Sequence, residues 1–391
     1  MNTGCNNLFV ELIQAALGAR ENLSRVPTER EWEALYEEAE KQAVVGLLLT
    51  GLERLPAEQL PRLELKLQWI GVTQMIEHQN KVMDERCVKV LTMLEKAELR
   101  CTILKGQGIA RLYDENLRAR RQPGDIDVYV DCGLEKAMAF THSLGQKNIS
   151  WSYKHLHLDL WEDTEVEVHY HVEFLFNLIK NRRLQRWFEA HKEQLFNDNE
   201  NDNENKGANT NRTNETNSFT TPTVEFNVFY ILLHIYKHYF TEGVGLRQVI
   251  DYFFVLKQVN GYGLAVRENI LHQTSSIIHQ LGMERFVNGL MWLMQEVMAM
   301  PKDWMLWEPD EKEGRIILKQ VMEGGNFGQY AEGYRPGTKW NRVWTVVRRN
   351  LHLMRWYPSE ALWVPVWMVC HKVWKVKKQL QLAAGTQMLV V

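Results

Sequence analysis

Cysteine is scarce in this sequence, and none of it occurs as a CxxC pair. The five cysteines are odd in number and lie far apart, at Cys5, Cys87, Cys101, Cys132 and Cys370. Both properties argue against a disulfide framework and against a cysteine zinc site. We therefore expect a reduced protein located in the cytoplasm.

Long apolar runs and an excess of one charge are missing as well. No stretch approaches the ~18–20 consecutive apolar residues of a membrane-spanning helix, and residues 1–7 lack the basic start and apolar centre of a signal peptide. Lysine and arginine number 46 against 49 acidic residues, which gives a net charge of -3. This balance does not indicate a nucleic-acid partner, and we expect none.

The spacing of apolar residues changes along the chain and predicts an α+β fold in five parts. Thr28 and Glu31 match a capping box, and residues 63–97 carry apolar side chains at helical spacing. Residues 155–160 and 165–172 alternate polar and apolar side chains, which predicts a hairpin. The parts are an N-terminal helical region (1–99), an α/β core with a mixed sheet and flanking helices (100–196), a low-complexity disordered loop (197–223), a C-terminal helical domain (224–335) and a basic, Trp-rich helical tail (336–391).

Two of these parts have an unusual composition. Residues 197–223 consist mainly of Asn, Asp, Glu and Thr, and such a segment buries too little apolar surface to offset its ordering entropy. Between Lys339 and Lys378 there are nine basic residues, one acid and six tryptophans. This composition has three interpretations. The tail consists of packed core helices, or it contains an amphipathic helix in peripheral contact with a membrane, or it forms a surface for nucleic acid or other partners.

Asp125-Ile126-Asp127 is the most informative segment for chemistry. Residues i and i+2 of a strand lie on the same side, so the two carboxylates share a face. Two negative charges held side by side need a cation between them, and carboxylate oxygens suit Mg²⁺ or Mn²⁺. We predict that Asp125 and Asp127 are catalytic residues that bind this metal.

A third acid is expected from the segment Glu165-Val-Glu-Val-His169. Glu165, Glu167 and His169 alternate with valines and lie on one face of the predicted strand. Glu167 is central in this strand, whereas Glu165 follows the turn directly, so we predict Glu167 as the third metal ligand and Glu165 as the second choice. The alternative is the exposed polar face of a hairpin.

Lys105-Gly106-Gln107-Gly108 lies between a predicted strand and a predicted helix. Backbone N–H groups at such a turn can hold a phosphate, and glycines allow the phosphate to approach closely. We predict nucleotide binding by Lys105, Gly106, Gly108 and Arg121. The alternatives are an ordinary strand-to-helix turn and, for Arg121, a solvated loop.

His234, Lys237 and His238 have the i, i+3, i+4 spacing of one helix face. Two histidines one turn apart can bind a metal, but no third ligand is evident, so substrate contact or packing is the better interpretation. Possible substrate contacts are His169, His234, Lys237 and His238. Arg247 and Asp251 are also one turn apart, which predicts an intrahelical ion pair.

Together these motifs resemble polymerase-β-type nucleotidyltransferases, and in particular a family of uncharacterised bacterial nucleotidyltransferases. The matching segments are Leu104-Lys-Gly, Tyr113, Arg121-x-x-Gly-Asp-Ile-Asp127, Glu167-x-His169, His234-x-x-x-His238 and Gly245-Leu-Arg-x-x-x-Asp251. The resemblance implies a polymerase-β-like core and Mg²⁺ dependence, with Gly106 as the turn glycine, Asp125 and Asp127 as the metal-binding pair and Glu167 as the third acid. This chain departs from the wider superfamily in one respect, because it has Lys-Gly-Gln-Gly where the superfamily has a glycine-serine turn.

The function that the resemblance implies is transfer of NMP from an NTP to a hydroxyl by two-metal catalysis. The Arg121 and Asp-x-Asp arrangement is also similar to that of aminoglycoside nucleotidyltransferases, which implies a small molecule or a protein as the hydroxyl acceptor. Two other functions stay open: a non-catalytic nucleotide-binding scaffold or sensor, and a membrane- or polysaccharide-associated adaptor acting through the tail.

Overall fold

A computed structural model of the chain describes residues 3–196, 219–331 and 339–388. The predicted α+β class is confirmed, with one small sheet between two sets of helices. The first set is α1 (Thr3–Ala16), α2 (Glu29–Lys41), α3 (Val45–Arg54) and α4 (Leu63–Lys96). The expected capping box is present at the start of α2, where Thr28 accepts from the Glu31 N–H and the Glu31 carboxylate accepts from the Thr28 N–H.

The mixed sheet follows α4 and holds the residues of chemical interest. Its strands are β1 (Cys101–Leu104), β2 (Ile126–Val130), β3 (His155–His157) and β4 (Val166–His169), in the order β1-β2-β4-β3. The predicted hairpin is confirmed, because β3 and β4 pair antiparallel. The strands β2 and β4 pair in parallel, and β1 pairs antiparallel with β2.

Helices α5 (Lys105–Ala110), α6 (Glu115–Arg118) and α7 (Leu134–Ser143) connect these strands. The helix predicted to follow the turn at residues 105–108 begins instead at Lys105, directly after β1, and ends at Ala110. The turn and the helix are therefore one continuous feature, and the functional turn forms the first residues of α5.

The second set of helices follows the sheet along the chain. It consists of α8 (Leu178–Ala190), α9 (Val224–Phe240), α10 (Leu246–Asn260), α11 (Leu264–Leu281), α12 (Glu284–Glu296) and α13 (Glu311–Gly324). Within the predicted helical domain, α11 and α12 are separate helices, because Gly282 takes a left-handed conformation with φ 62° and ends α11.

Two hydrophobic clusters hold these elements together. The larger one joins side chains of the N-terminal helices, such as Trp69, to those of α9 and α10, such as Tyr230 and Phe254. The smaller one lies under the sheet and contains Val128 and Val168 together with residues of the second half of α4. The N-terminal and C-terminal helices therefore share one core, and the sheet is packed on a separate one.

The end of the predicted disordered loop is ordered, which corrects its boundary at Thr223. The carbonyl oxygen of Thr220 accepts a 2.9 Å hydrogen bond from the Ile103 N–H, and the Phe219 side chain is buried. Thr223 caps α9 through its side chain. An aromatic side chain and a capping hydroxyl thus tie residues 219–223 to the protein, while the remainder of the prediction, 197–218, lies outside the described residues.

The tail forms α14 (Lys339–Leu353), α15 (Pro358–Ala361) and α16 (Trp363–Met388). Trp367 stacks on Phe174 with 4.5 Å between ring centres, and Trp374 meets Trp151 edge to face at 5.6 Å. These contacts support the interpretation of packed helices for one side of α16. Among the described residues, no helix is both long and apolar enough to cross a bilayer.

Candidate functional site

The turn after β1 has an unusual backbone. Lys105 has φ 38°, and Gly106 has φ 35° with ψ −112°. A lysine in the left-handed region is uncommon and costs conformational energy, and such strain collects at functional sites. A side chain on Gly106 would also come within 3.5 Å of the Asp125 carbonyl oxygen. The turn thus brings the chain against the Asp125 backbone and directs Lys105 at the sheet.

Lys105 forms an ion pair with Asp127 of strand β2. Its Nζ lies 2.7 Å from Asp127 Oδ1, and both side chains are buried from bulk solvent. Burial disfavours the ammonium, but the negative charge of Asp127 outweighs this and raises the pKa of Lys105 well above its ordinary value. Lys105 is therefore a permanent cation at the end of the sheet.

The strand register brings the third acid to the pair. Asp127 is the direct partner of Glu167 across the parallel strands β2 and β4, and Asp125 lies two residues before Asp127, on the same side of the chain. The Glu167 side chain is 15% exposed, whereas that of Glu165 is 60% exposed and lies at the strand edge. This geometry supports the choice of Glu167 over Glu165.

His169 contacts two of the three acids, Asp127 and Glu167. It is fully buried, and its Nε2 lies 2.7 Å from Asp127 Oδ1 and 3.1 Å from Glu167 Oε2. Since it does not line the cavity described below, it orients carboxylates rather than contacting a substrate, which differs from the expected role.

The three carboxyl groups differ in their proton affinity. Burial favours the neutral form of each, but Lys105 and His169 outweigh it at Asp127 and lower its pKa to about 2. His155 and His169 do the same for Glu167 and lower its pKa. At Asp125, burial and the neighbouring Asp127 dominate and raise the pKa. Asp125 forms no ion pair within the described part of the chain, so it is the acid with uncompensated charge.

The three acids open into a cavity of about 610 Å³. This volume lies in the range of small-molecule sites, ~300–1,000 Å³. The predicted residues that line it are Lys105, Gly106, Arg121, Asp125, Asp127, Glu167, His234 and His238. Thr345 and Val346 of the tail also line it, so α14 contributes to the wall.

Gly108 and Lys237 are placed away from the lining. A side chain on Gly108 would meet the Ile103 carbonyl oxygen at 2.9 Å, so this glycine allows α5 to pack on β1. Lys237 Nζ lies 3.0 Å from Glu173 Oε1 and over the ring of Phe174, and burial lowers its pKa to about 7. Neither residue lines the cavity; Gly108 packs against β1, and Lys237 contacts Glu173 and Phe174.

Arg121 lines the cavity, but its guanidinium is paired with Asp251. The Arg121 Nε and Nη2 atoms donate to the two Asp251 oxygens at 2.7 and 2.8 Å, and the Tyr113 hydroxyl donates to the same carboxylate at 2.7 Å. Asp251 is therefore bonded to Arg121 instead of the expected Arg247. The role that this geometry supports for Arg121 is to fix the segment before Asp125, which differs from the nucleotide contact expected from the sequence.

Arg247 also lines the cavity, and it keeps a hydrogen-bond donor, its Nε, that could bind a ligand. It is 5% exposed and lines the cavity, and it donates from Nη1 to the carbonyl oxygens of Gln122 and Pro123 at 3.0 and 3.3 Å. Its buried Nε has no hydrogen-bond partner among the described residues. Burial lowers its pKa to about 10, which still leaves it charged at neutral pH.

Several cavity residues were not selected from the sequence. Lys154 and His155 come from the start of the hairpin, and Glu242 from the turn after α9. The buried Glu173, which lies behind them, accepts from Lys154 and Lys237. The alternation of His155, Leu156 and His157 was visible, and the position of these histidines beside Glu167 follows only from the antiparallel pairing.

The donor set fits the metal that the sequence suggested. Three carboxylates from two adjacent strands offer the oxygen ligands that Mg²⁺ prefers. In the structure a Lys105 ammonium already supplies positive charge at Asp127, which indicates that this position favours a cation. Asp127, Glu167 and His169 also place one ligand atom each within 4.8 Å of the others.

Comparison with protein families gives a match that includes these residues. A family model described as an uncharacterised nucleotidyltransferase matches residues 28–299, which include the sheet, the glycine turn and helices α9 and α10. Comparison with curated proteins gives no match, and comparison with solved structures gives none either.

Proposed function

Because the chain belongs to the uncharacterised nucleotidyltransferase family, we propose that it transfers NMP from an NTP to a hydroxyl of a small molecule or a protein, with Mg²⁺ or Mn²⁺ as the metal. One observation carries this proposal: Asp125, Asp127 and Glu167 meet at a cavity beside the strained Lys105-Gly106 turn. A carboxylate triad and a phosphate-binding turn are what this reaction requires.

Asp125, Asp127 and Glu167 would hold the metal. When bound there, Mg²⁺ supplies neutralisation of the charge that develops on the phosphoryl oxygens and the leaving pyrophosphate. His169 keeps Asp127 and Glu167 in position by its two contacts. The acceptor hydroxyl must lose a proton, and these carboxylates, which line the cavity, are the bases that we propose for it.

The triphosphate would lie between the turn and the start of α10. Lys105 contributes an ammonium and Gly106 an approachable backbone, and both line the cavity. Arg247 lies at the second position of α10, where the helix dipole also favours an anion. We assign to Arg247 the phosphate contact that the sequence suggested for Arg121, since Arg121 is already bonded to Asp251.

The acceptor would enter from the wall formed by α9 and the hairpin. His234 and His238 line this wall one helical turn apart, and Lys154 and Glu242 lie beside them. Burial, with the nearby His238 and Lys105, lowers the pKa of His234 well below its ordinary value. A neutral imidazole can accept a hydrogen bond from a hydroxyl, which agrees with a hydroxyl acceptor.

The test is release of pyrophosphate from each of the four NTPs with Mg²⁺, in the presence of aminoglycosides, sugars and the protein itself as acceptors. We expect metal-dependent release with at least one NTP and a nucleotidylated acceptor detectable by mass spectrometry. The Asp127→Asn variant serves as the control, and equal release by this variant would contradict the proposal.

A non-catalytic nucleotide sensor is the main alternative, and the same assay separates it. A sensor would bind NTP with Mg²⁺ and release no pyrophosphate with any acceptor. The presence of all three acids at the cavity favours the enzyme, because a scaffold needs no complete carboxylate set. Location in the cytoplasm stays a prediction.

The tail offers a second surface, and one observation favours membrane contact. Leu362, just before α16, and five apolar residues within that helix are 44–68% exposed: Val366, Val369, Val373, Val376 and Leu380. The five residues in α16 are spaced alternately by three and four residues, which places them on one face of the helix. Lys372 and Lys377 flank this stripe, and both are exposed. An apolar stripe with basic flanks is typical of a helix lying on an anionic lipid surface, so we propose peripheral membrane contact.

Sedimentation with vesicles tests this contact. We expect binding to vesicles that contain anionic lipid, weaker binding to neutral vesicles, and loss of binding on Val369→Ser with Val373→Ser. Leu264→Ser is the matched control, since Leu264 is 72% exposed on a different helix. Equal sedimentation of all variants would exclude the stripe as the lipid contact.

A further inference from the structure

A second group of ligand-type side chains lies on the edge of the sheet. His155 and His157 belong to β3, Glu167 belongs to the adjoining strand β4, and Glu165 directly precedes that strand. In the antiparallel register His157 is opposite Glu167, and His155 is opposite His169. Cross-strand partners project from the same side of a sheet, so these residues form one continuous polar face.

The distances within this group are those of ligands around a shared centre. One ring nitrogen each from His155 and His157 and one oxygen of Glu167 lie within 4.8 Å of one another. The His155 Nδ1 atom lies 2.9 Å from Glu167 Oε2. His157 Nδ1 lies 2.7 Å from Glu165 Oε1, which provides a further carboxylate next to the group.

We propose that His155, His157 and Glu167 bind a first-row transition metal ion of the Zn²⁺ type, next to the Mg²⁺ position and sharing Glu167 with it. The inference rests on the proposed function only in this shared residue. Two imidazoles and one carboxylate form a donor set used by zinc sites, with a fourth position open. Mg²⁺ prefers oxygen ligands alone, so the two positions differ in the ion that they select.

Such an ion would hold the Glu167 side chain in one orientation. The strand β3 is short and forms the edge of the sheet, and in the structure Glu167 is shared between His155 and His169. An ion bound by β3 and β4 together would fasten the edge strand and orient the third acid toward Asp127. A hydrogen-bonded ladder of histidines and glutamates without an ion is the competing account.

The test is direct binding of Zn²⁺ to the full chain, measured by calorimetry and by the metal content after dialysis. We expect one Zn²⁺ per chain and affinity lower by about tenfold or more in His155→Gln and in His157→Gln, because each variant removes a ligand. The control is His279→Gln, which removes an exposed histidine that also lies beside a glutamate, Glu284, at 2.6 Å. Thermal melting of each variant without metal confirms that it is folded.

Asp125→Asn separates this inference from the proposed function. Asp125 is not part of the histidine group, so this variant should keep Zn²⁺ binding while it loses pyrophosphate release. Zn²⁺ binding with unchanged affinity in both histidine variants, or no Zn²⁺ binding by the wild-type chain, would overturn the inference and leave the nucleotidyltransferase proposal unaffected.

Discussion

Two buried charge clusters each contain residues of the segment 121–127, and they differ in how completely their charges are paired. The anchor cluster consists of Arg121, Asp251 and Tyr113, and both oxygens of its carboxylate accept hydrogen bonds. The carboxylate cluster consists of Asp125, Asp127, Glu167, Lys105 and His169, and it has three acids for one permanent cation. One cluster is complete within the protein, and the other requires additional positive charge.

The difference indicates which cluster stabilises the fold and which performs chemistry. A buried ion pair with all its hydrogen bonds made fixes two chain segments, here the residues before β2 and helix α10. Uncompensated acids that face a cavity raise the energy of the free protein and favour a bound cation. The structure thus supports a positioning role for Arg121 and a metal-binding role for Asp125, although both residues belong to the same sequence motif.

The largest expected effect is on turnover. Asp125→Asn and Asp127→Asn should each lower metal-dependent transfer by on the order of 10³-fold or more, because a charged ligand is lost where negative charge develops. Both variants should stay folded, as judged by circular dichroism. Near-native transfer by either one would remove the distinction between the two clusters.

Substitution in the anchor cluster should lower the free energy of unfolding. Asp251→Asn leaves the Arg121 guanidinium buried without its carboxylate, which costs about 3–5 kcal/mol in the free energy of unfolding. Asp163→Asn is the matched control, since Asp163 pairs with Arg86 at 2.9 Å but is 71% exposed, and it should leave the free energy of unfolding almost unchanged. Equal results in urea denaturation would show that the anchor does not hold the fold.

Within the carboxylate cluster, Glu167 and Glu165 should differ. Glu167→Gln should lower transfer by on the order of 10²-fold and weaken the dependence on Mg²⁺, because Glu167 is opposite Asp127 in the sheet. Glu165→Gln should stay close to wild type in this assay. A larger loss at Glu165 would reverse the assignment of the third acid.

The smallest expected effect is a pH dependence of stability. Asp127 has a pKa of about 2 in the folded protein against an ordinary value of 3.8. The lowered pKa contributes stability that is present above about pH 4 and is lost as the pH falls through 2, on the order of 2 kcal/mol. The wild-type chain should therefore be more stable than Asp127→Asn at pH 5, and this difference should shrink toward pH 2. A constant difference would contradict the shift.

Local patterns allowed part of this account to be predicted from the sequence. The shared face of Asp125 and Asp127 follows from strand periodicity, and the hairpin follows from the alternation around a turn. The preference for Glu167 over Glu165 required only the distance of each residue from that turn. These features depend on residues that are close in the sequence, so they can be predicted from the spacing of residue types.

Contacts between distant segments could not be predicted in the same way. Arg121 and Asp251 are 130 positions apart, and nothing in either segment indicates that they meet. The parallel pairing of β2 with β4 sets Asp127 opposite Glu167, and this register has no local signal. The buried position of His169 follows from that pairing, which explains why the sequence suggested a substrate contact for it.

Binding of nucleotide as a function of Mg²⁺ tests the central claim most directly, because it does not require knowledge of the acceptor. Calorimetry would be performed with a non-hydrolysable NTP on the wild-type chain, on Asp125→Asn and on the stability control Asp163→Asn. We predict binding that depends on Mg²⁺ in the wild type and in Asp163→Asn, and loss of the Mg²⁺-dependent part in Asp125→Asn. Nucleotide binding that is the same with and without Mg²⁺, or that is unchanged in Asp125→Asn, would contradict a metal site at the carboxylate cluster.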